Sequence, residues 1–173
     1  DRADLAGGCH PRWHDKQGNH ASAQQAHRQH HSPARTCGGL FDLAGKSSFP
    51  REAIRHRPQS LWRYREALPI APTCDVVSLG EPLTPLVPWP ALPGSHLKLE
   101  FLLPTGSFKD RGACVMLSHM RGMGVREAVE DSSGNAAAAV AAYCARAHIA
   151  CRIFVPASTS GGKLAQIATY GAD

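Results

Sequence analysis

Downstream of residue 95 the chain switches repeatedly between two periods, and that switching limits the folds open to it. Residues 96–103 start as a polar and apolar alternation and end fully apolar, which predicts a strand. Ala113, Met116, Leu117 and Met120 then recur at three- and four-residue spacing, the pattern of an amphipathic helix starting at Phe108. A short strand over 128–131, an alanine-rich helix over 135–147, an apolar strand over 149–155 and a helix over 163–170 closed by Gly171 follow. Strands alternating with helices predict an α/β domain with parallel strands and right-handed crossovers. So many alanines in 135–147 let another backbone come close, so this helix is expected to be buried.

The joins between these elements carry the chemistry. Pro104-Thr105-Gly106-Ser107-Phe108-Lys109-Asp110-Arg111-Gly112 links the first strand to the first helix. Pro104 stops the strand, Gly106 permits an unusual turn, and Ser107 is a good N-cap, which puts Lys109 in the first helical turn. Cations are disfavoured at that end of a helix dipole, and an amine that gives up its proton readily is a good nucleophile toward a carbonyl. A lone lysine near a glycine would otherwise read as a solvated surface residue. The second join, Asp131-Ser132-Ser133-Gly134-Asn135, lies between the end of a strand and the start of a helix. Backbone N–H groups there lack intrahelical partners and bind anions. Taken by itself it reads equally as ordinary capping by Ser132 or Ser133, with Gly134 relieving strain.

Both motifs together resemble the pyridoxal-phosphate enzymes of the tryptophan synthase β-subunit fold, fold type II, and within them threonine synthase and its relatives. The similarity runs from about Leu61 to Asp173. It implies that the fold is the N-terminal portion of a three-layer αβα enzyme of this type, incomplete here, and that the cofactor is pyridoxal 5'-phosphate. By the same resemblance Lys109 is the catalytic lysine and bonds to the cofactor aldehyde, and Asn135 binds the phenolic oxygen of the cofactor ring. Ser132, Ser133 and Gly134 bind the substrate carboxylate. Freed from the cofactor, Lys109 would move protons at the substrate α- and β-carbons as general base and acid. Asp110 and Arg111 read as a structural pair beside it. Thr84 and Pro85, within the proline-punctuated stretch 76–87, occupy a position that family members use to shape the entrance to the site.

The implied reaction is that of a lyase of the threonine synthase type, converting O-phosphohomoserine to threonine, or a related β- or γ-elimination or replacement. A pyridoxal-phosphate-dependent amino-acid dehydratase or ammonia-lyase stays open, as does a non-catalytic remnant of such an enzyme. The family's glycine-rich phosphate loop has no counterpart in these residues, Gly161-Gly162 included, so the chain alone is expected to bind cofactor poorly and to turn over little. It reads as an N-terminal fragment.

Composition excludes other classes. Hydrophobic residues make up 43% and charged residues 19% of the 173, which suits a globular protein. The net charge of +5 comes from scattered Lys and Arg with no aromatic-studded stripe, so nucleic acid is not expected as a partner. No apolar run is long enough for a transmembrane helix. The expected partner is a small amino-acid substrate, in the cytoplasm; the oligomeric state stays open, a homodimer of the full-length form included. Cys114, Cys144 and Cys151 lie in apolar segments and read as reduced core residues.

Residues 1–60 read as a low-order N-terminal segment, ahead of a partial cofactor-binding α/β domain over 61–173. Six of the ten histidines (His10, His14, His20, His27, His30 and His31) lie in 1–35, amid residues without apolar periodicity, and disorder is expected there. Cys37-Gly38-Gly39-Leu40 resembles the second knuckle of a zinc ribbon, but Ala34, Arg35 and Thr36 stand where its partner cysteine belongs, so no metal is expected. Gly45-Lys46-Ser47 ends like a P-loop, yet the glycine required five positions earlier is Leu40. Residues 61–69 form a short amphipathic segment whose Trp62 and Tyr64 are expected to pack on the body of the domain.

Overall fold

A computed structural model describes residues 50–173 together with three two-residue strands upstream. These strands are β1 (Trp13–His14), β2 (His20–Ala21) and β3 (Asp42–Leu43), with β1 central and antiparallel to both neighbours. Two of them fall within 1–35, where the sequence carries no period that predicts a strand. The ribbon-like stretch at Cys37 and the P-loop-like Gly45-Lys46-Ser47 lie outside the described residues.

A short helix α1 (Arg51–Arg55) and a 3-10 segment, Leu61–Ala67, lead into the body of the protein. Strands β4 (Leu86–Pro88) and β5 (His96–Lys98) then pair antiparallel, with Val87 opposite Leu97. The strand predicted over 96–103 therefore ends at Lys98, and Glu100–Leu102 form a 3-10 turn instead. The cause is tertiary. The Glu100 carboxylate is drawn onto Arg111, and Leu103 is sunk to 3% exposure, which a straight strand could not satisfy together.

The rest alternates as the sequence predicts: α2 (Lys109–Gly122), β6 (Glu127–Asp131), α3 (Asn135–Ala147), β7 (Ala150–Phe154) and α4 (Gly161–Thr169). β6 and β7 are parallel and in register from Glu127 opposite Ala150 to Asp131 opposite Phe154. Helix α3 is the crossover between them. His148 adopts a left-handed conformation (φ 56°) at its C-terminal end, and the Ile149 N–H bonds to the Cys144 carbonyl, turning the chain back into β7. Beyond α4, Asp173 takes a hydrogen bond from the Ile153 N–H and donates one to the Cys151 carbonyl, on the edge of β7 away from β6.

Helix α3 is the centre of the core. Ala137, Ala138, Ala139, Val140, Ala141, Ala142, Tyr143 and Cys144 are all buried, as the alanine content predicts. One side packs on Ala113, Cys114 and Leu117 of α2, and another, through Ala137 and Ala141, meets Ile167 of α4. Methyl-sized side chains let both helices approach α3 closely, so the helix behind the lysine motif is held directly on the helix behind the second motif. Cys114 and Cys144 are buried free thiols, and burial pushes both above the ordinary thiol range, Cys144 chiefly through its contact with Cys151. Among the described residues no helix is long and apolar enough to cross a membrane.

Candidate active site

The lysine turn is built by a residue that sequence reasoning set aside. Asp110 is fully buried, and its carboxylate accepts the Thr105 N–H at 2.7 Å and the Thr105 hydroxyl. That closes residues 105–110 into a loop whose corner is Gly106, at φ 81°, a backbone conformation that costs a side-chain-bearing residue energy. Burial raises the Asp110 pKa above the usual carboxylate range, with the two Thr105 bonds opposing it. Asp110 and Arg111 do not pair with each other. Arg111 reaches back to Glu100 at 2.7 and 2.9 Å and to Thr84 at 3.2 Å, and its guanidinium holds Glu100 down to about 2. Adjacent helical side chains point about 100° apart, so neighbours in sequence here serve opposite sides of the turn.

Helix α2 starts at Lys109, one residue later than predicted. Phe108 takes the capping position in a helical conformation, with no side-chain cap. Buried Ser107 offers its hydroxyl to the Lys109 N–H at a long 3.4 Å and its carbonyl to the Asp110 N–H at 3.3 Å. Lys109 is exposed, its Nζ lies 4.8 Å from the centre of the Phe108 ring, and no ion pair claims it among the described residues. Its amine is left uncommitted.

The second turn is also open. Gly134 caps α3 without a side-chain bond, and Ser132 uses its hydroxyl on the Gly134 N–H at 3.2 Å rather than on the helix. Capping by Ser132 or Ser133 is therefore not what this turn does. The first N–H groups of α3, from Asn135 onward, have no intrahelical acceptor and face a turn of half-buried Ser132, Ser133 and Gly134.

Helix α4 brings the two turns together. Lys163 Nζ donates to Asn135 Oδ1 at 2.7 Å, and Gln166 Nε2 donates to the Thr105 carbonyl at 3.3 Å. Lys163 and Gln166 are three apart, so they share one helix face and sit about 4.5 Å apart along its axis. Thr105 of the lysine turn and Asn135 of the second turn are thus tethered side by side to one rigid element. Lys109 itself makes no hydrogen bond to Ser132, Ser133, Gly134 or Asn135; the link runs through α4. Sequence reasoning missed both tethers. One signal was available, a lysine in the first turn of α4, where a helix dipole disfavours it.

A buried carboxylate without any local sequence signal lies elsewhere in the body. Glu81 is fully buried and accepts four hydrogen bonds: from Tyr143 at 2.5 Å and the Leu79 N–H at 2.8 Å on one oxygen, and from Trp62 at 3.0 Å and Ser78 at 2.7 Å on the other. Burial pushes its pKa up, but these donors outweigh it and hold Glu81 below the usual range. The cluster ties the 3-10 segment over Leu61–Ala67 to α3, and so anchors Trp62 on the body as predicted.

Comparison with known proteins places the sequence in a family. A family described as "Pyridoxal-phosphate dependent enzyme" matches residues 77–173, which contain both turns and α4. A threonine synthase of Methanocaldococcus jannaschii is 37% identical over 148 residues, covering 79% of this chain and 36% of its own length. Threonine synthases of Mycobacterium leprae and Halalkalibacterium halodurans are 40% and 39% identical over 121 and 125 residues, each covering 66% of this chain, and 34% and 35% of their own lengths. The chain therefore spans about a third of the length of these curated relatives. With 97 residues matched out of 173 (77 through 173), the chain belongs to the pyridoxal-phosphate-dependent enzyme family, as an α/β protein of the fold type II class.

Proposed function

We propose that these residues form the lysine side of the active site of a threonine-synthase-type lyase, acting on O-phosphohomoserine or on a related amino acid by β- or γ-elimination or replacement. The observation that supports this reading is the pair of bonds from α4, Lys163 to Asn135 and Gln166 to Thr105, which ties both turns to one helix.

The donor set fits the cofactor at its aldehyde end. Lys109 offers an amine without a carboxylate partner, Asn135 an amide, and the start of α3 a group of N–H donors. Pyridoxal phosphate, when bound, supplies an electron sink for the carbanion formed at the substrate α-carbon. Lys109 Nζ would hold the aldehyde end of the cofactor and, once the substrate amine has displaced it, would be free to take and return the α-proton. The Ser133 and Asn135 N–H groups and the Ser132 and Ser133 hydroxyls would orient the substrate carboxylate, and the Asn135 amide would meet the ring oxygen, while the Gly134 N–H stays on the Ser132 hydroxyl. A homodimer in the cytoplasm is the setting in which such a site would work.

The test is to incubate the chain with pyridoxal phosphate, reduce with borohydride and map the label by mass spectrometry. Label on Lys109 that disappears in Lys109→Ala supports the reading. With cofactor raised far enough to offset the weak binding expected of this chain alone, a folded protein without label at Lys109 rejects it in favour of a non-catalytic remnant, the reading that the solvent exposure of Lys109 favours.

A further inference from the structure

We propose that Lys163 is a positioning residue that fixes which end of the Asn135 amide faces the site. This inference rests on the function proposed above. A lysine ammonium has three donors and no acceptor, so the Asn135 atom that it meets at 2.7 Å is the carbonyl oxygen. With Oδ1 committed to Lys163, the NH2 group is the end left for a ligand. An NH2 presents donors only, and its natural partner is an anionic oxygen such as a ring phenolate. Free rotation of the amide would offer the carbonyl half of the time, and a carbonyl repels such an oxygen.

Lys163 has no other evident purpose. It sits in the first turn of α4, where its N–H bonds to the Ser160 carbonyl at 3.0 Å and the helix dipole disfavours a cation. It pairs with no carboxylate among the described residues, and its single partner is a neutral amide 28 positions away. A residue that breaks the local rule without an ion pair in return marks a functional position. Gln166, on the same face, holds the lysine turn by the Thr105 carbonyl, so both of these side-chain bonds reach the two turns.

Asn19 and Asn135 are the only asparagines in the chain, so isotope labelling of asparagine nitrogen gives two side-chain NH2 signals in an NMR spectrum of the intact protein. In Lys163→Met the Asn135 NH2 pair is expected to shift, and Lys163→Arg, which keeps a cationic donor, is expected to restore it. An Asn135 signal unmoved in folded Lys163→Met overturns the proposal, as does one displaced equally in Lys163→Arg. Should Lys163→Met fail to fold, Lys163→Ala carries the same comparison. In parallel, borohydride-trapped label at Lys109 is expected to fall several-fold in Lys163→Met and to recover in Lys163→Arg. Wild type without label at Lys109 rejects the lyase function, whereas the amide signals still decide the role of Lys163, so the two failures are told apart.

Discussion

The Tyr143 hydroxyl donates to Glu81 Oε1 at 2.5 Å, and neither side chain reaches solvent. Burying a carboxylate without a cationic partner is tolerable only because four donors surround it. The bond also serves Tyr143, whose pKa is raised far beyond its ordinary value, first by burial and then by the anion it faces. Tyr143→Phe removes one donor from a buried anion, and the expected loss is about 1–3 kcal/mol in urea unfolding. Trp62→Phe, which removes a half-buried donor on the other oxygen, should cost less. Equal stability of Tyr143→Phe and wild type would show that the carboxylate is not charged.

Arg111 sets an acid dependence. Glu100 has an ordinary value of 4.5 and a folded value of about 2, held there mainly by the Arg111 hydrogen bonds. A folded pKa below the unfolded one means that the unfolded chain binds more protons in between. The stabilisation is complete above the unfolded value and is lost as pH falls toward 2. Arg111→Gln should therefore lower stability at neutral pH and flatten its decline over that acid window. Denaturant melts from pH 6 down to 2 read both effects, and an unchanged slope contradicts the assignment.

Gly106 is expected to resist substitution for a backbone reason alone. Nothing lies within 4 Å of where its Cβ would stand, but its φ is 81°. Gly106→Ala should cost about 1–2 kcal/mol, visible as a lower Tm, with Gly106→Asn milder because asparagine tolerates the left-handed region. A steric explanation would predict the opposite order.

Lys109→Ala should leave stability within about 0.5 kcal/mol of wild type, as for other exposed positions. It loses a ring contact with Phe108 but also removes a cation from a helix start, and the two effects are of similar size and opposite sign. Thermal unfolding checks this, and a large loss would mean that the lysine is structural.

The sequence made β6, α3, β7 and α4 legible because each is carried by a local period. Both turns were legible too, since proline, glycine and serine act within a few residues of themselves. Where the pattern failed, a distant partner had overridden it. Residues 96–103 look like one strand, yet Glu100 is committed to Arg111, 11 positions on, and the chain turns there. Asp110 and Arg111 look paired by adjacency, and helical geometry sends them to Thr105 and Glu100. Glu81 lies in a stretch that reads as extended and proline-punctuated, and its donors Trp62 and Tyr143 are 19 and 62 positions away. Gln166 meets Thr105 across 61 positions, a distance over which no spacing rule operates.

The run of methyl groups along α3 acts as a gauge. Ala139 and Ala141 face different neighbours on a helix thin enough for α2 and α4 to rest against it, so the width of α3 sets how far apart α2 and α4 lie. Adding one or two carbons at either alanine would wedge those helices apart by a fraction of an ångström and retune that gap without altering any polar group. The spacing of two helices is thus written in side chains that carry no polar atom.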